Sequence, residues 1–396
     1  MYPFRPLRSA RRLPFAVVVV AACVLAGAAA PSADESLPLS NFLTRLKAAL
    51  GRQEHAPAPV KLHARATAES RSGVRRLRIR DFQFISDSDR SFAGYSLGAG
   101  SWDTEVGVLG SAVATEFLFQ AAEADIPIEA IDVVFTSHQG AGPRPAGQVS
   151  YPQNLQYVAY IVSTASDAAL EALRAKVEQT SPVLNLVTGR QDIAHGTLVH
   201  TPSPAEADPD APPGLRDFLV EKRRAIQGRE TRRGGAARST PAPLKAHVRV
   251  EGGTGLRHVR TGEARFQFLH DNPRALAGFD LGPTVEEHQL GVMATCLTHI
   301  FEIQAAERQV ALDALEVRVE ATLFPRGRGQ APRLADVRYA VHISSPATAQ
   351  VVDDLRKAVE AVCPIYNLLK DPQTLRGRVV RQRFGSSGVD ATTASR

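Results

Sequence analysis

The sequence predicts an α+β protein made of two tandem units, in which antiparallel strands carry two long helices per unit. Three observations lead there: an internal repeat, short runs that alternate apolar and polar residues, and long apolar stripes at helical spacing. The repeat emerges at a shift of 184 residues. Over 57–98 against 241–282, 16 of 42 ungapped positions are identical, where composition alone gives about three. Pro57-Ala58-Pro59 falls on Pro241-Ala242-Pro243, Phe82-Gln83-Phe84 on Phe266-Gln267-Phe268, and Ala93-Gly94 on Ala277-Gly278. The same shift pairs Gln120-Ala121-Ala122-Glu123 with Gln304-Ala305-Ala306-Glu307 and, with two residues lost, Ser181-Pro182 with Cys363-Pro364.

In the second unit, residues 245–251 and 263–269 alternate as half-buried strands do. From Val285 to Arg308, the residues Leu290, Met293, Leu297, Ile300 and Phe301 recur at helical spacing, giving a helix of about six turns. Residues 314–322 and 335–343 read as strands again. Pro346 sits where a second helix can begin, and Val352, Leu355, Val359 and Val362 continue one stripe. Each unit opens with a short helix, since Asn41-Phe42-Leu43 through Leu50 resembles Asp217-Phe218-Leu219 through Ile226. The expected division is a leader at 1–33, a first unit at 40–200, a linker with a short helix at 201–240, a second unit at 241–383 and a loose tail at 384–396.

A chain of 396 residues can build two domains with sizeable cores, and 44% hydrophobic with 22% charged residues is ordinary for a soluble globular protein. The net charge of +6 comes from arginines scattered through the leader and linker, with no aromatic-interleaved basic stripe. It reads as solvated surface, and no nucleic-acid partner is expected. Arg5, Arg8, Arg11 and Arg12 precede an apolar run of 16 residues, Phe15 to Ala30, followed by a polar stretch. That is the layout of a secretory signal peptide, so the mature chain is expected to start between about Ala28 and Asp34, in the periplasm or outside the cell. Cys23, after Val20-Ala21-Ala22, has the form of a lipoprotein acylation site and is the one route to a membrane tether. The apolar run continues past it, which favours simple cleavage.

Without Cys23, two cysteines remain, an even count that suits a disulfide or a cycling dithiol in an exported protein. Cys296 lies mid-helix on the stripe of Val292, Met293 and Ile300, where a small buried apolar residue would also sit. Cys363 precedes Pro364, a proline suited to the first position of a new helical turn, which places the thiol near free N–H groups that favour a thiolate. The first unit has Ala112 opposite Cys296 and Ser181 opposite Cys363, so both cysteines are missing together, as befits a pair acting as a unit. His299, one turn past Cys296, reads as a structural hydrogen-bonding residue or a local base. Two thiols and one histidine without CxxC spacing do not compose a metal site.

These residues carry a resemblance. The second unit resembles the OsmC/Ohr superfamily of thiol peroxidases (osmotically inducible and organic hydroperoxide resistance proteins). The resemblance rests on Glu286-Glu287 leading into a long helix, Cys296 ten residues after Glu286, and Cys363-Pro364 after a second long helix. It covers about 245–382, while 61–198 repeats the pattern with Trp102 opposite Glu286. The resemblance implies that Cys296 is the peroxidatic cysteine and Cys363 the resolving one, with no cofactor. Glu286 would hold an arginine that polarises the peroxide and stabilises the Cys296 thiolate. The family's arginine follows a Gly-Gly, but Gly252-Gly253 is followed by Thr254, so Arg257 is preferred for the role over Arg260. Thr284-Val285 replaces the family's Asn-Pro, and His288 and Gln289 stand at positions that are usually apolar.

Members of that family form intertwined homodimers, so two fused copies look like such a dimer in one chain, an intramolecular pseudodimer. The expected function is reduction of organic (alkyl or fatty-acyl) hydroperoxides, with an external dithiol as reductant. The alternative is a non-catalytic envelope module that binds a ligand or partner and in which Cys296 and Cys363 form a permanent disulfide. Closing a separation of 67 residues would stabilise such a module by ~4 kcal/mol on the loop-entropy account.

Overall fold

The computed structural model describes residues 38–52, 58–139, 149–191, 193–206, 210–233, 243–326 and 331–382. The expected leader with Cys23 and the tail from 384 lie outside the described residues. The first unit runs α1 (Leu39–Gly51), β1 (Val60–Ala68), β2 (Arg75–Ile79), β3 (Phe82–Ser86), α2 (Ser101–Ala124), β4 (Ala130–Gln139), β5 (Pro152–Val162), α3 (Asp167–Thr180), α4 (Pro182–Thr188) and β6 (Thr197–Pro202). The second repeats it as α5 (Leu215–Arg233), β7 (Leu244–Val250), β8 (Arg257–Thr261), β9 (Phe266–His270), α6 (Val285–Arg308), β10 (Ala314–Phe324), β11 (Arg333–Ser345), α7 (Ala349–Val362), α8 (Pro364–Lys370) and β12 (Leu375–Gln382). The structure is α+β, with eight helices and two six-stranded sheets among the described residues.

Neither unit completes a sheet with its own strands. One sheet has the order β3-β2-β1-β10-β11-β6 and the other β9-β8-β7-β4-β5-β12. The seams between units are antiparallel: β1 pairs with β10 from Val60↔Leu323 to Thr67↔Glu316, and β4 pairs with β7 from Asp132↔Arg249 to Ser137↔Leu244. Each three-stranded hairpin set of one unit therefore finishes the sheet of the other, as in an exchanged dimer. Two edges depart from the antiparallel expectation, since β6 lies parallel to β11 and β12 parallel to β5. Both edge strands are half-buried at most, with Leu198, Leu375 and Val379 packed against the core, and alternation along a strand does not say whether its partner runs parallel or antiparallel. The linker also differs from expectation, because β6 reaches Pro202 and α5 extends seven residues past Ile226.

The two long helices form the interior. In α6, 18 of 24 residues are buried, and in α2, 17 of 24, which identifies helices covered on all sides rather than lying on a surface. Helix α6 lies against β1, β2 and β10, and α2 against β4, β7 and β8. Two equivalent glycines allow the close approach. A Cβ at Gly291 would come within 2.8 Å of Leu77 on β2, and one at Gly107 within 2.7 Å of Phe268 on β9. The helices meet where Gln289 Nε2 donates to Glu105 Oε2 at 2.9 Å, a buried contact between residues 184 apart. A residue and its own repeat equivalent touch there, which marks a pseudo-twofold axis. No helix among the described residues is long and apolar enough to cross a membrane.

The exchange makes a direct prediction. Residues 210–382 expressed alone lack partners for both β7 and β10, whose unpaired edges must be satisfied. Sedimentation equilibrium should find a homodimer in which β7 of one copy joins β10 of the other. A soluble, folded monomer would contradict the exchange.

Candidate active site

The thiol pair is assembled by two helix devices. Thr284 caps α6 with a capping box, its hydroxyl on the Glu287 amide and the Glu287 carboxylate on the Thr284 amide, which fixes the register of the helix that carries Cys296. Cys363 is the N-cap of α8, with Pro364 at the first helical position, as the Cys-Pro pair predicts. Cys363 Sγ donates to Cys296 Sγ at 3.6 Å, and both are free thiols. Cys296 is 2% and Cys363 0% exposed. Burial pushes the Cys363 thiol well up, and the contact with Cys296 pushes the same way, against the amides of Tyr366 and Ile365. The helix N-terminus was expected to favour a Cys363 thiolate, but desolvation outweighs it. The Cys363 thiol points at Cys296.

One to two turns beyond Cys296, α6 contributes His299 and Glu302 to a buried charge cluster. Arg75, 1% exposed, opens β2 of the first unit. Its Nη1 donates to Gly73 O at 2.7 Å and lies 3.2 Å from His299 Nδ1 and 3.4 Å from Glu302 Oε2. Ser88 Oγ is 3.3 Å from both terminal nitrogens, while Nε is buried without a partner. Lys222, from α5, reaches Glu302 Oε2 at 2.5 Å and His299 Nδ1 at 3.4 Å. Burial alone would raise the Glu302 carboxyl, but Lys222, His299 and Arg75 hold it down at about 2. Burial lowers Lys222, as does Arg75, against Glu302 and Asp87.

Arg257 and Glu286 stand elsewhere. Arg257 opens β8, in the sheet that covers α2 rather than the one that covers α6. It is buried, donates from Nη1 to Gly255 O at 3.0 Å, and leaves Nε unpartnered. Burial pushes it down to about 10, against the attraction of Asp271 and Glu286, neither of which forms an ion pair with it within 4 Å. Glu286, on the first turn of α6, is held up by burial against its own amide and the Thr284 hydroxyl, with Glu287 and Glu116 adding to the rise. Among the described residues, no hydrogen bond or ion pair joins Arg257 or Glu286 to either cysteine. The structure brings Cys296 and Cys363 together and brings Arg75, not Arg257, to α6, the helix of Cys296.

Comparison of the copies explains this. Arg75 donates to the carbonyl of Gly73 as Arg257 does to Gly255, so the two arginines are equivalent at a spacing of 182, not 184. Strand exchange then sends each arginine to the helix of the other unit. At the second location Ala112, Ser181, Thr115, Leu118 and Leu46 replace Cys296, Cys363, His299, Glu302 and Lys222. Ser181 keeps only the capping task, its hydroxyl accepting from the Leu184 amide. The signal for Arg75 was present in the sequence: Gly73-Val74-Arg75 matches Gly255-Leu256-Arg257 once two residues are moved from the first turn to the next. His288 and Gln289 find their roles away from the thiols. His288 Nδ1 lies 2.9 Å from His270 Nε2, whose other nitrogen meets Ser111 Oγ at 2.8 Å, and Gln289 sits on the pseudo-axis.

Fold and site together define a two-copy α+β body with one paired-thiol centre among the described residues. Residues 278–376 match the family described as OsmC-like protein, so the chain carries an OsmC-like domain there, including Glu286, Cys296 and Cys363. Among solved structures, it is similar to an organic hydroperoxide resistance protein OsmC from Legionella pneumophila, with 19% identity, covering 36% of this chain and 98% of that one, at a TM-score of 0.29. It is also similar to the organic hydroperoxide resistance protein OhrB of Bacillus subtilis (18% identity, 35% and 97% covered, TM-score 0.27). An OsmC-like protein from Mycoplasma pneumoniae shows 15% identity, with 29% and 79% covered and a TM-score of 0.25. No curated protein matches the sequence.

Proposed function

We propose that the chain is a thiol-dependent peroxidase that reduces organic hydroperoxides at one centre per molecule, outside the cytoplasm. The observation that carries this reading is the contact at 3.6 Å of two free, buried thiols, one on α6 and one at the cap of α8, with a buried arginine engaging α6 one turn further on. The Cys296 thiolate attacks the terminal oxygen of the hydroperoxide. The S–O bond forms, the O–O bond breaks, and the departing alkoxide takes a proton from solvent to become the alcohol. Cys363 then attacks the sulfenic sulfur; its thiol proton leaves with the hydroxyl as water, and the disulfide forms. An external dithiol returns both thiols and is itself oxidised. Arg75 takes the role that the sequence suggested for Arg257. Its buried, unpartnered Nε–H is a donor suited to a peroxide oxygen, and its charge favours the thiolate. The buried apolar residues on the same helix, Val292 and Met293, suit an alkyl chain better than hydrogen peroxide.

The test uses single-turnover oxidation by cumene hydroperoxide and steady-state consumption with dithiothreitol. Cys296→Ser should abolish peroxide consumption. Cys363→Ser should react once, leaving a sulfenic acid at Cys296 that dimedone traps, with no further turnover. Equal, sluggish oxidation of both variants at the rate of an ordinary free thiol would leave the pair as a structural disulfide.

A further inference from the structure

The cluster beside the thiols contains one group that the peroxidase reading does not use. His299 lies three residues after Cys296, on the same side of α6. It is the one accessible member of the cluster, with 18% of its side chain exposed where Arg75, Lys222 and Glu302 show 1% or less. Every group around its Nδ1 has been placed by a different element: Arg75 Nη1 from β2 at 3.2 Å, Ser88 Oγ from the following loop at 3.3 Å, and Lys222 Nζ from α5 at 3.4 Å. Phe92 meets the ring edge-on. Guanidinium and ammonium groups donate and never accept, so Nδ1 must present its lone pair to them. The Glu302 carboxylate is 3.7 Å away, too far for a hydrogen bond, and the Ser88 hydroxyl, the other group that could accept from Nδ1, can equally donate to it. Two cations bearing on Nδ1 thus favour the ring proton on Nε2, for which the described residues provide no acceptor.

We propose that His299 is a hydrogen-bond donor of the site, a neutral imidazole whose Nε2–H is offered to the oxygen that departs from the hydroperoxide, with Arg75 and Lys222 as the residues that hold its tautomer. The inference rests on the peroxidase reading and adds a residue to it. A local base, the role open to His299 from sequence alone, does not fit, because the free lone pair is spent on Arg75 and Lys222. As the O–O bond breaks, negative charge grows on the alkoxide oxygen. A neutral donor fixed beside it stabilises that charge without giving up its proton, which comes to the alkoxide from solvent. The first copy is consistent: where Ala112 replaces the thiol, Thr115 replaces the imidazole, Leu118 the carboxylate and Leu46 the lysine, so the apparatus is absent where there is nothing to serve. Burial, with Lys222 and Arg75 adding and Glu302 opposing, lowers His299 to about 3, so the ring stays neutral across the working range.

Two measurements test this separately. The ¹⁵N shifts of the His299 ring in the resting protein should show the proton on Nε2, unchanged from pH 5 to 9, and Lys222→Met should weaken that preference. A proton on Nδ1, or titration within this range, overturns the proposal whatever the activity. In single-turnover oxidation of Cys296 by cumene hydroperoxide, His299→Phe should be about 10- to 100-fold slower, with the same factor at every pH from 5 to 8. His299→Gln, whose amide nitrogen can stand where Nε2 does, should recover most of the rate. If wild type reacts and His299→Phe reacts equally fast, the donor role is wrong while the peroxidase reading stands. If wild type fails to react, both fall.

Discussion

Arg75→Ala is expected to slow the oxidation of Cys296 by an alkyl hydroperoxide by about 100-fold or more, the effect of removing one buried donor from a charge-developing site, while Arg257→Ala should change it by no more than a few-fold. Both arginines open the second strand of a hairpin set, both are buried, and both donate to the carbonyl two residues before them. Only their destinations differ. Arg75 reaches the helix three to six residues beyond Cys296, at His299 and Glu302, whereas Arg257 lies in the sheet over α2, where Ala112 and Ser181 carry no thiol. Thermal unfolding separates chemistry from folding. Removing Arg75 takes one of two cations from Glu302 and should lower stability, since a buried carboxylate loses a partner. Removing Arg257 deletes a buried cation with no carboxylate in ion-pair range and an unpartnered Nε, so it should be neutral or stabilising. Equal rate losses in the two variants would mean that Arg257 also serves the thiols and that the assignment by strand exchange is wrong.

Much of this was legible in the sequence because it is local. The α6 stripe, the Cys-Pro cap and the joint loss of both cysteines from the first unit are statements about neighbouring residues or about one copy set against the other. Which sheet a strand joins is not local. Alternation in 245–251 says which face is buried but not that the strand completes a sheet with β4 of the other unit. The sequence therefore points to an arginine of the unit that holds the thiols, and the exchange puts it in the other. An ungapped shift also set Arg75 against Val259 rather than Arg257. Lys222 escaped notice for another reason. On an exposed helix a lysine is the commonest of residues, and only the arrival of Glu302 from α6 makes this one a fully buried ion-pair partner.

Glu105→Gln should make stability less dependent on pH and should raise it above neutrality by an amount on the order of 3 kcal/mol. Glu105 is fully buried on the pseudo-axis, where its Oε2 accepts from Gln289 and its Oε1 has no partner. Burial pushes its carboxyl up to about 7, against the Gln289 hydrogen bond. An acid whose folded pKa is raised favours the fold while it is protonated, so its stabilising share is complete below about 4.5 and is lost as pH rises to about 7 and beyond. Moving the carboxyl from 4.5 to about 7 corresponds to about 3 to 4 kcal/mol. His288 and His299, each lowered to about 3 by burial, give a slope of the opposite sign, because they protonate on unfolding below about 6.5. The pH profile of wild type alone mixes the two, and the difference between wild type and Glu105→Gln isolates the carboxyl. That difference should be small near pH 4.5 and largest above pH 7.5 in chemical denaturation. The position also shows what fusion of two copies permits. A homodimer must set the same residue against itself on its axis, and two glutamates there would repel or share a proton. One chain carrying both copies can place a glutamine opposite a glutamate, and the amide donates directly to the carboxyl group that burial would otherwise leave bare. A pH-independent gap between wild type and Glu105→Gln would show that Glu105 keeps its ordinary carboxyl behaviour despite its place on the axis.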